Sequence, residues 1–202
     1  MSGGRAARRG AGAAWALGAA LLFACPAPAA DLEAGRRRAQ DCFACHGPEG
    51  NSTNPAMSSL AGQPAQFIAM QLFQFREGNR KDPKMTPPAV GLSNADLNDL
   101  AAYFSAQKPA MLAKAPDPAT AAAGRRLTEQ HHCVQCHGAA LMGQQHIPRL
   151  AGQQRGYLRV QLRGFKAGTR ADIDGFMTSA TQLLSDKEIE ILADYLSGLG
   201  GQ

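Results

Sequence analysis

The chain has 202 residues, 45% of them hydrophobic and only 6% aromatic, with 21 lysines and arginines against 16 aspartates and glutamates. That length admits one or two domains, and the apolar share supports packed cores, but so few aromatics are thin for two small cores unless a large non-protein apolar group completes them. Three arginines fall within residues 1–30, so the remainder carries 18 basic and 16 acidic side chains, a balance that gives poor support to nucleic-acid binding, which wants a concentrated basic face.

Arg5, Arg8 and Arg9 precede the apolar run AGAAWALGAALLFA (11–24), and small residues at 27–30 offer a cleavage point before Asp31. This is the layout of a secretory signal peptide, and the run is short of the ~20 residues that span a membrane. Residues 1–30 are therefore expected to be removed on export. Cys25, in LFAC, loosely matches a bacterial lipobox and is either a lipidated N-terminus or discarded with the leader. The Arg8-Arg9 pair is followed by Gly-Ala-Gly, which does not continue a twin-arginine signal.

Two copies of one unit follow, at 31–107 and 119–202, joined by an Ala/Pro-rich linker at 108–118 that Pro109, Pro116 and Pro118 stiffen. In the first copy a short helix is expected at 32–40, then DCFACHGPEG (41–50). A second helix after LAGQ carries Phe67, Leu72 and Phe75. Met85 sits in the loop KDPKMTPPAVGLS. A last helix is capped by Ser93 and Asp96 and buries Leu97, Leu100, Ala101 and Phe104. The second copy repeats the order: a helix at 119–130, HCVQCHGAAL (132–141), a helix with Tyr157, Leu162 and Phe165, and Met177 in DGFMTSATQLLS. Its last helix opens on the capping box Ser185–Glu188, with Leu184 stapling it and Ile189, Leu192, Ala193 and Leu196 on one face. Residues 60–80 align without gaps to 150–170. Neither copy contains strand-like alternation, so the fold class is all-α.

Each copy holds Cys-x-x-Cys-His: Cys42, Cys45 and His46, then Cys133, Cys136 and His137. Dithiol redox chemistry would want a βαβ setting, and a Cys₄ zinc site would leave the two histidines unexplained. The pattern is the attachment signature of c-type haem. On one helical turn two thiols reach the two vinyl groups of a porphyrin, and the following histidine points at the iron. Two covalent haems also supply the apolar bulk that the aromatics lack. The sixth ligand decides between a closed electron-transfer site and an open, reactive one. Met85 and Met177 each stand eight residues before the serine cap of the last helix, in matching loops, and are the expected ligands. Met57, Met70 and Met142 are expected to pack, and Met111 lies in the linker. His131, His132 and His146 are expected to be structural.

The two Cys-x-x-Cys-His motifs, the LAGQ…QL…F…G-x-R blocks, the loop methionines and the final LS…L/I…LA-x-Y helices resemble the dihaem cytochrome c4 family over nearly the whole mature chain. The resemblance implies two class I cytochrome c folds related by a pseudo-twofold, both haems ligated by His and Met. It implies an electron carrier in the bacterial periplasm, often at the membrane surface. Its expected partners are a donor of the quinol–cytochrome c oxidoreductase type and an acceptor of the terminal-oxidase type. In class I folds a proline carbonyl commonly holds the ligand imidazole. Pro148 suits that role for His137, whereas the matching position in the first copy is Ser58. Two rivals share the residues: a dihaem enzyme, either a peroxidase or thiosulfate-oxidising, with one open haem, and the dihaem subunit of a sulfide-oxidising flavocytochrome. One surface feature separates the copies. Arg155, Arg159, Arg163 and Lys166 share a helix face and are expected to dock an acidic partner, while the counterpart Phe73 is expected nearer the domain interface.

Overall fold

The computed structural model of the protein describes residue 1, residues 29–110 and residues 114–200. Residues 2–28 of the expected signal peptide, with Cys25 and the Arg8-Arg9 pair, and Met111 of the linker lie outside the described residues. The rest is helical; the only strand-type pairing among the described residues is one isolated bridge, Gln144 to Ile147.

Each copy is built around a crossing of its first and last long helices. In the first, α1 (Leu32–Arg38) is capped by the Asp31 carboxylate, which accepts from the amides of Glu33 and Ala34. It leads into α2 (Gln40–His46), which carries the cysteines. The following helices are α3 (Ala65–Arg76), α4 (Thr86–Val90) and α5 (Asn94–Ala106). The second copy matches them with α6 (Pro118–Gln130), α7 (Cys133–His137), α8 (Arg155–Lys166), α9 (Phe176–Gln182) and α10 (Asp186–Ser197). Pro118 opens α6 where a missing amide costs nothing, and Asp117 caps it through Ala119 and Thr120.

Glycine makes the crossings close. A Cβ at Gly35 would lie 2.1 Å from the Asp99 carbonyl on α5, and one at Gly124 would lie 2.2 Å from the Tyr195 ring on α10. Both expected capping boxes form, Ser93 with Asp96 and Ser185 with Glu188. The faces they launch are buried as expected. Leu97, Leu100, Ala101 and Phe104 are at most 5% exposed, and Ile189, Leu192, Ala193 and Leu196 at most 3%. The two cores differ in filling. The first stacks Phe43, Tyr103 and Phe104, with ring centroids 5.2 to 6.4 Å apart, where the second has Leu141, Leu158, Tyr195 and neighbouring aliphatics.

Three expectations change. Met85 and Met177 do not sit in plain loops: Met85 caps α4 and Met177 lies in the first turn of α9. Pro87 and Pro88 fall in the first turn of α4, where prolines do not interrupt the ladder, so the proline-rich sequence hid a helix start. Met142 is exposed rather than packed. The basic stripe on α8 is largely answered within the chain. Arg155 pairs with Asp194 and with Glu190 (3.1 Å), Arg163 with Glu190 (2.9 Å), Arg159 with Glu190 (3.6 Å), and Lys166 donates to the Leu184 carbonyl. Acids on α10 therefore absorb much of the charge that was expected to meet a partner.

Candidate haem centres and the interface between them

On α2, Cys42, Cys45 and His46 occupy the last helical turns. Gly47 then turns the chain at φ 76°, where an L-residue is strained. His46 is 6% exposed. Its Nδ1 lies 2.8 Å from the Ser58 carbonyl and its Nε2 lies 3.5 Å from Met85 Sδ. A carbonyl can only accept, so Nδ1 carries the proton and Nε2 presents its lone pair to the thioether. Burial lowers the His46 pKa, while the Ser58 carbonyl works against it; the imidazole is neutral. Asp82 fixes Met85 from outside, its carboxylate accepting from the amides of Lys84 and Met85 at 2.8 and 3.0 Å.

On α7 the arrangement repeats. His137 is 4% exposed and its Nδ1 lies 2.8 Å from the Pro148 carbonyl, which forces the same tautomer. Ser58 thus does through its backbone what Pro148 does, since orientation needs only an acceptor. Asp172 takes the part of Asp82, its carboxylate accepting from the Met177 amide at 2.7 Å and the Thr178 amide at 3.1 Å. The segment from Arg170 to Met177 is two residues longer than that from Arg80 to Met85. The structure brings His46 and Met85 into contact; it does not bring Met177 within hydrogen-bonding range of His137.

The thiols complete the picture. Cys42 and Cys133 are half-buried and Cys45 and Cys136 exposed, none in a disulfide. Desolvation, with the Asp41 charge adding to it, pushes the Cys42 thiol up to about 11, and desolvation raises Cys133 as well. No group of three or more His, Cys, Asp or Glu side chains suited to a metal is assembled among the described residues. The other histidines are elsewhere: His131 contacts Glu188 at 3.3 Å, His132 sits at φ 57° before α7, and His146 is exposed.

The two domains share the interface that the pseudo-twofold implied, but the residues that hydrogen-bond across it were not anticipated from the sequence. Gln63 and Gln153, the last residues of the two LAGQ repeats, reach across it. Gln63 bonds both the N–H and the C=O of Arg149, each at 2.9 Å, and Gln153 bonds those of Ser59 at 2.7 and 2.9 Å. The amide of Tyr157 donates to the Pro55 carbonyl (2.8 Å) and that of Phe67 to the Gln145 carbonyl (3.1 Å). Every one of these bonds has its mate at positions shifted by 90, which is the pseudo-twofold in atomic form. The signal available in the sequence was that two polar loop residues survive unchanged in both copies.

Arginines line the same region. Arg149 is 2% exposed and donates to the Ala61 and Ala151 carbonyls. Arg80 and Arg170 cross-bond Gln71 and Gln161 and lie over the Phe75 and Phe165 rings at 4.5 and 4.3 Å. Desolvation pushes both Arg149 and Arg170 down to about 10. None of the ion pairs among the described residues includes these three. Arg149 Nε, Arg170 Nε and Ser59 Oγ are buried without a protein partner.

Comparison with known proteins gives concordant matches. The cytochrome c family model matches residues 32–108 and 121–200. Cytochrome c4 of Thiocapsa roseopersicina is 38% identical over 181 residues, covering 84% of this chain and 93% of its own. A protein of Thiomonas intermedia (strain K12) named as a thiosulfate dehydrogenase electron acceptor is 35% identical over 190 residues, covering 88% and 86%. The crystal structure of reduced recombinant cytochrome c4 from Pseudomonas stutzeri matches with a TM-score of 0.79 at 35% identity, over 85% of this chain and 100% of that one.

Proposed function

Since the chain belongs to the dihaem cytochrome c4 family and is an electron carrier with two covalent c-type haems, we propose that it carries electrons in the bacterial periplasm toward a terminal oxidase. Cys42 and Cys45 would anchor one haem, with His46 and Met85 to ligate its iron. Cys133 and Cys136 would anchor the other, with His137 and Met177. The observation that carries the assignment is the opposed pair His46 Nε2 and Met85 Sδ, with the ring proton pinned on the far nitrogen by a backbone carbonyl.

The chain's chemistry fits the group. Haem carries two carboxylates, and the buried guanidinium groups of Arg149 and Arg170, with unpartnered Nε atoms, would receive such anions at the interface. Each haem supplies a one-electron ferrous/ferric couple. His46 and His137 are buried, and the Ser58 and Pro148 carbonyls hold each imidazole ring fixed, so little would move when the charge of the group changes. A thioether is a soft ligand that favours the reduced metal and raises the potential.

The test is the near-infrared methionine-to-iron charge-transfer band of the ferric holo-protein, matured in a periplasm. Two haems' worth of intensity supports both ligand sets. One haem's worth would overturn the assignment at the other iron. The donor has a second reading: the relative from Thiomonas intermedia is named as an electron acceptor of thiosulfate dehydrogenase, which favours a thiosulfate-oxidising donor. Reduction rates with that class of enzyme and with a quinol-oxidising one separate the two.

A further inference from the structure

The peptide bond between Ser58 and Ser59 is gripped from both domains. Its carbonyl accepts from His46 Nδ1 at 2.8 Å, and its N–H donates to Gln153 Oε1 at 2.7 Å across the interface. The peptide between Pro148 and Arg149 is held in the same way: its carbonyl accepts from His137 Nδ1 at 2.8 Å, and its N–H donates to Gln63 Oε1 at 2.9 Å. Both glutamines close the grip with a returning Nε2 bond to the next carbonyl. Gln63, Gln153, Ser59 and Arg149 are all at most 4% exposed, so water does not compete for these bonds.

A peptide whose N–H is engaged in a low-dielectric setting is polarised, and its carbonyl becomes a stronger acceptor. A stronger acceptor on Nδ1–H raises the basicity of the imidazole's other nitrogen. We propose that Gln63 and Gln153 are positioning residues that act crosswise, each tuning the iron of the opposite domain through the peptide that orients that iron's histidine. Neither glutamine bonds the histidine-bearing peptide of its own domain. Each centre is therefore completed by a residue about ninety positions away in the other copy. The inference rests on His46 and His137 being the iron ligands.

Proton–nitrogen correlation NMR of the ferrous holo-protein tests it, combined with redox titration that resolves the two haems. The carbon-bound ring protons of both histidines, shifted by the haem ring current in the unmodified protein, first check the ligand assignment. Their absence would overturn that assignment, while their presence with no crosswise response would overturn this inference alone. In Gln153→Leu the His46 Nδ1–H resonance should move upfield and the potential of the first haem should rise, with the His137 resonance in place. Gln63→Leu should give the mirror result. Shifts in the domain that carries the substitution, equal shifts in both, or none would overturn the proposal. If a leucine variant yields no dihaem protein, Gln153→Asn and Gln63→Asn, one methylene too short to reach the peptide, carry the same expectation.

Discussion

At His46 and His137 the backbone chooses the tautomer. An acceptor-only carbonyl on Nδ1 leaves Nε2 with its lone pair, and burial keeps the ring neutral. Opposite His46 Nε2 lies the Met85 thioether at 3.5 Å, and Met177 has the matching part at the second site under the proposed function. Met85→Leu should halve the charge-transfer band and open the first haem to carbon monoxide, leaving half of the absorbance unresponsive. Full retention of the band would mean that Met85 is not a ligand. The cysteines and histidines were legible in the sequence because thioether chemistry fixes their spacing. The Ser58 carbonyl was legible only through its match to Pro148, because any residue supplies a carbonyl and only the path of the chain decides which one arrives. His131 was read as structural, and its contact with Glu188 agrees.

Among the helices, α5 and α10 were readable because capping box, staple and 3.6-residue periodicity agree. Shorter α4 and α9 have too few turns for a period and begin among prolines or after Gly175. The box at α10 is testable in two ways. Ser185→Ala should destabilise the second domain by about 1 kcal/mol in denaturant titration. Glu188 is held at about 2, against an ordinary 4.5, by the Ser185 amide and hydroxyl, with His131 contributing less. A carboxylate lowered in the folded state stabilises fully above about pH 4.5 and loses that contribution as pH falls toward 2. In Glu188→Gln the acid-induced loss of stability across that window should be shallower. The crossing of α6 over α10 has a steric counterpart. Gly124→Ala places a methyl group against the Tyr195 ring and should cost about 1–3 kcal/mol, read by the same titration.

For the whole molecule, the domain interface governs how the two centres meet. A Cβ at Gly156 would lie 2.6 Å from the Pro55 carbonyl of the other domain, which is backbone and cannot easily yield. Gly156→Val should therefore part the domains, raising the radius of gyration in small-angle scattering while each domain keeps its haem spectrum. Phe73 does lie where expected, lining a groove with Ala171 and Ile173 of the other copy. The repeat was plain in the sequence, but its use was not: Gln63 and Gln153 read as polar loop residues until the folded chain turns them toward each other's domain.

The positions that these glutamines grip are not alike. One is Ser59, and its mate is Arg149. Two separate, identical polypeptides meeting about a true axis would have to place the same residue at both, giving either no buried guanidinium or two sharing one contact. Covalent fusion lifts that restriction. Duplication and joining let the copies keep the handshake while drifting apart at its centre, and a self-matching pair becomes a molecule with a head and a tail.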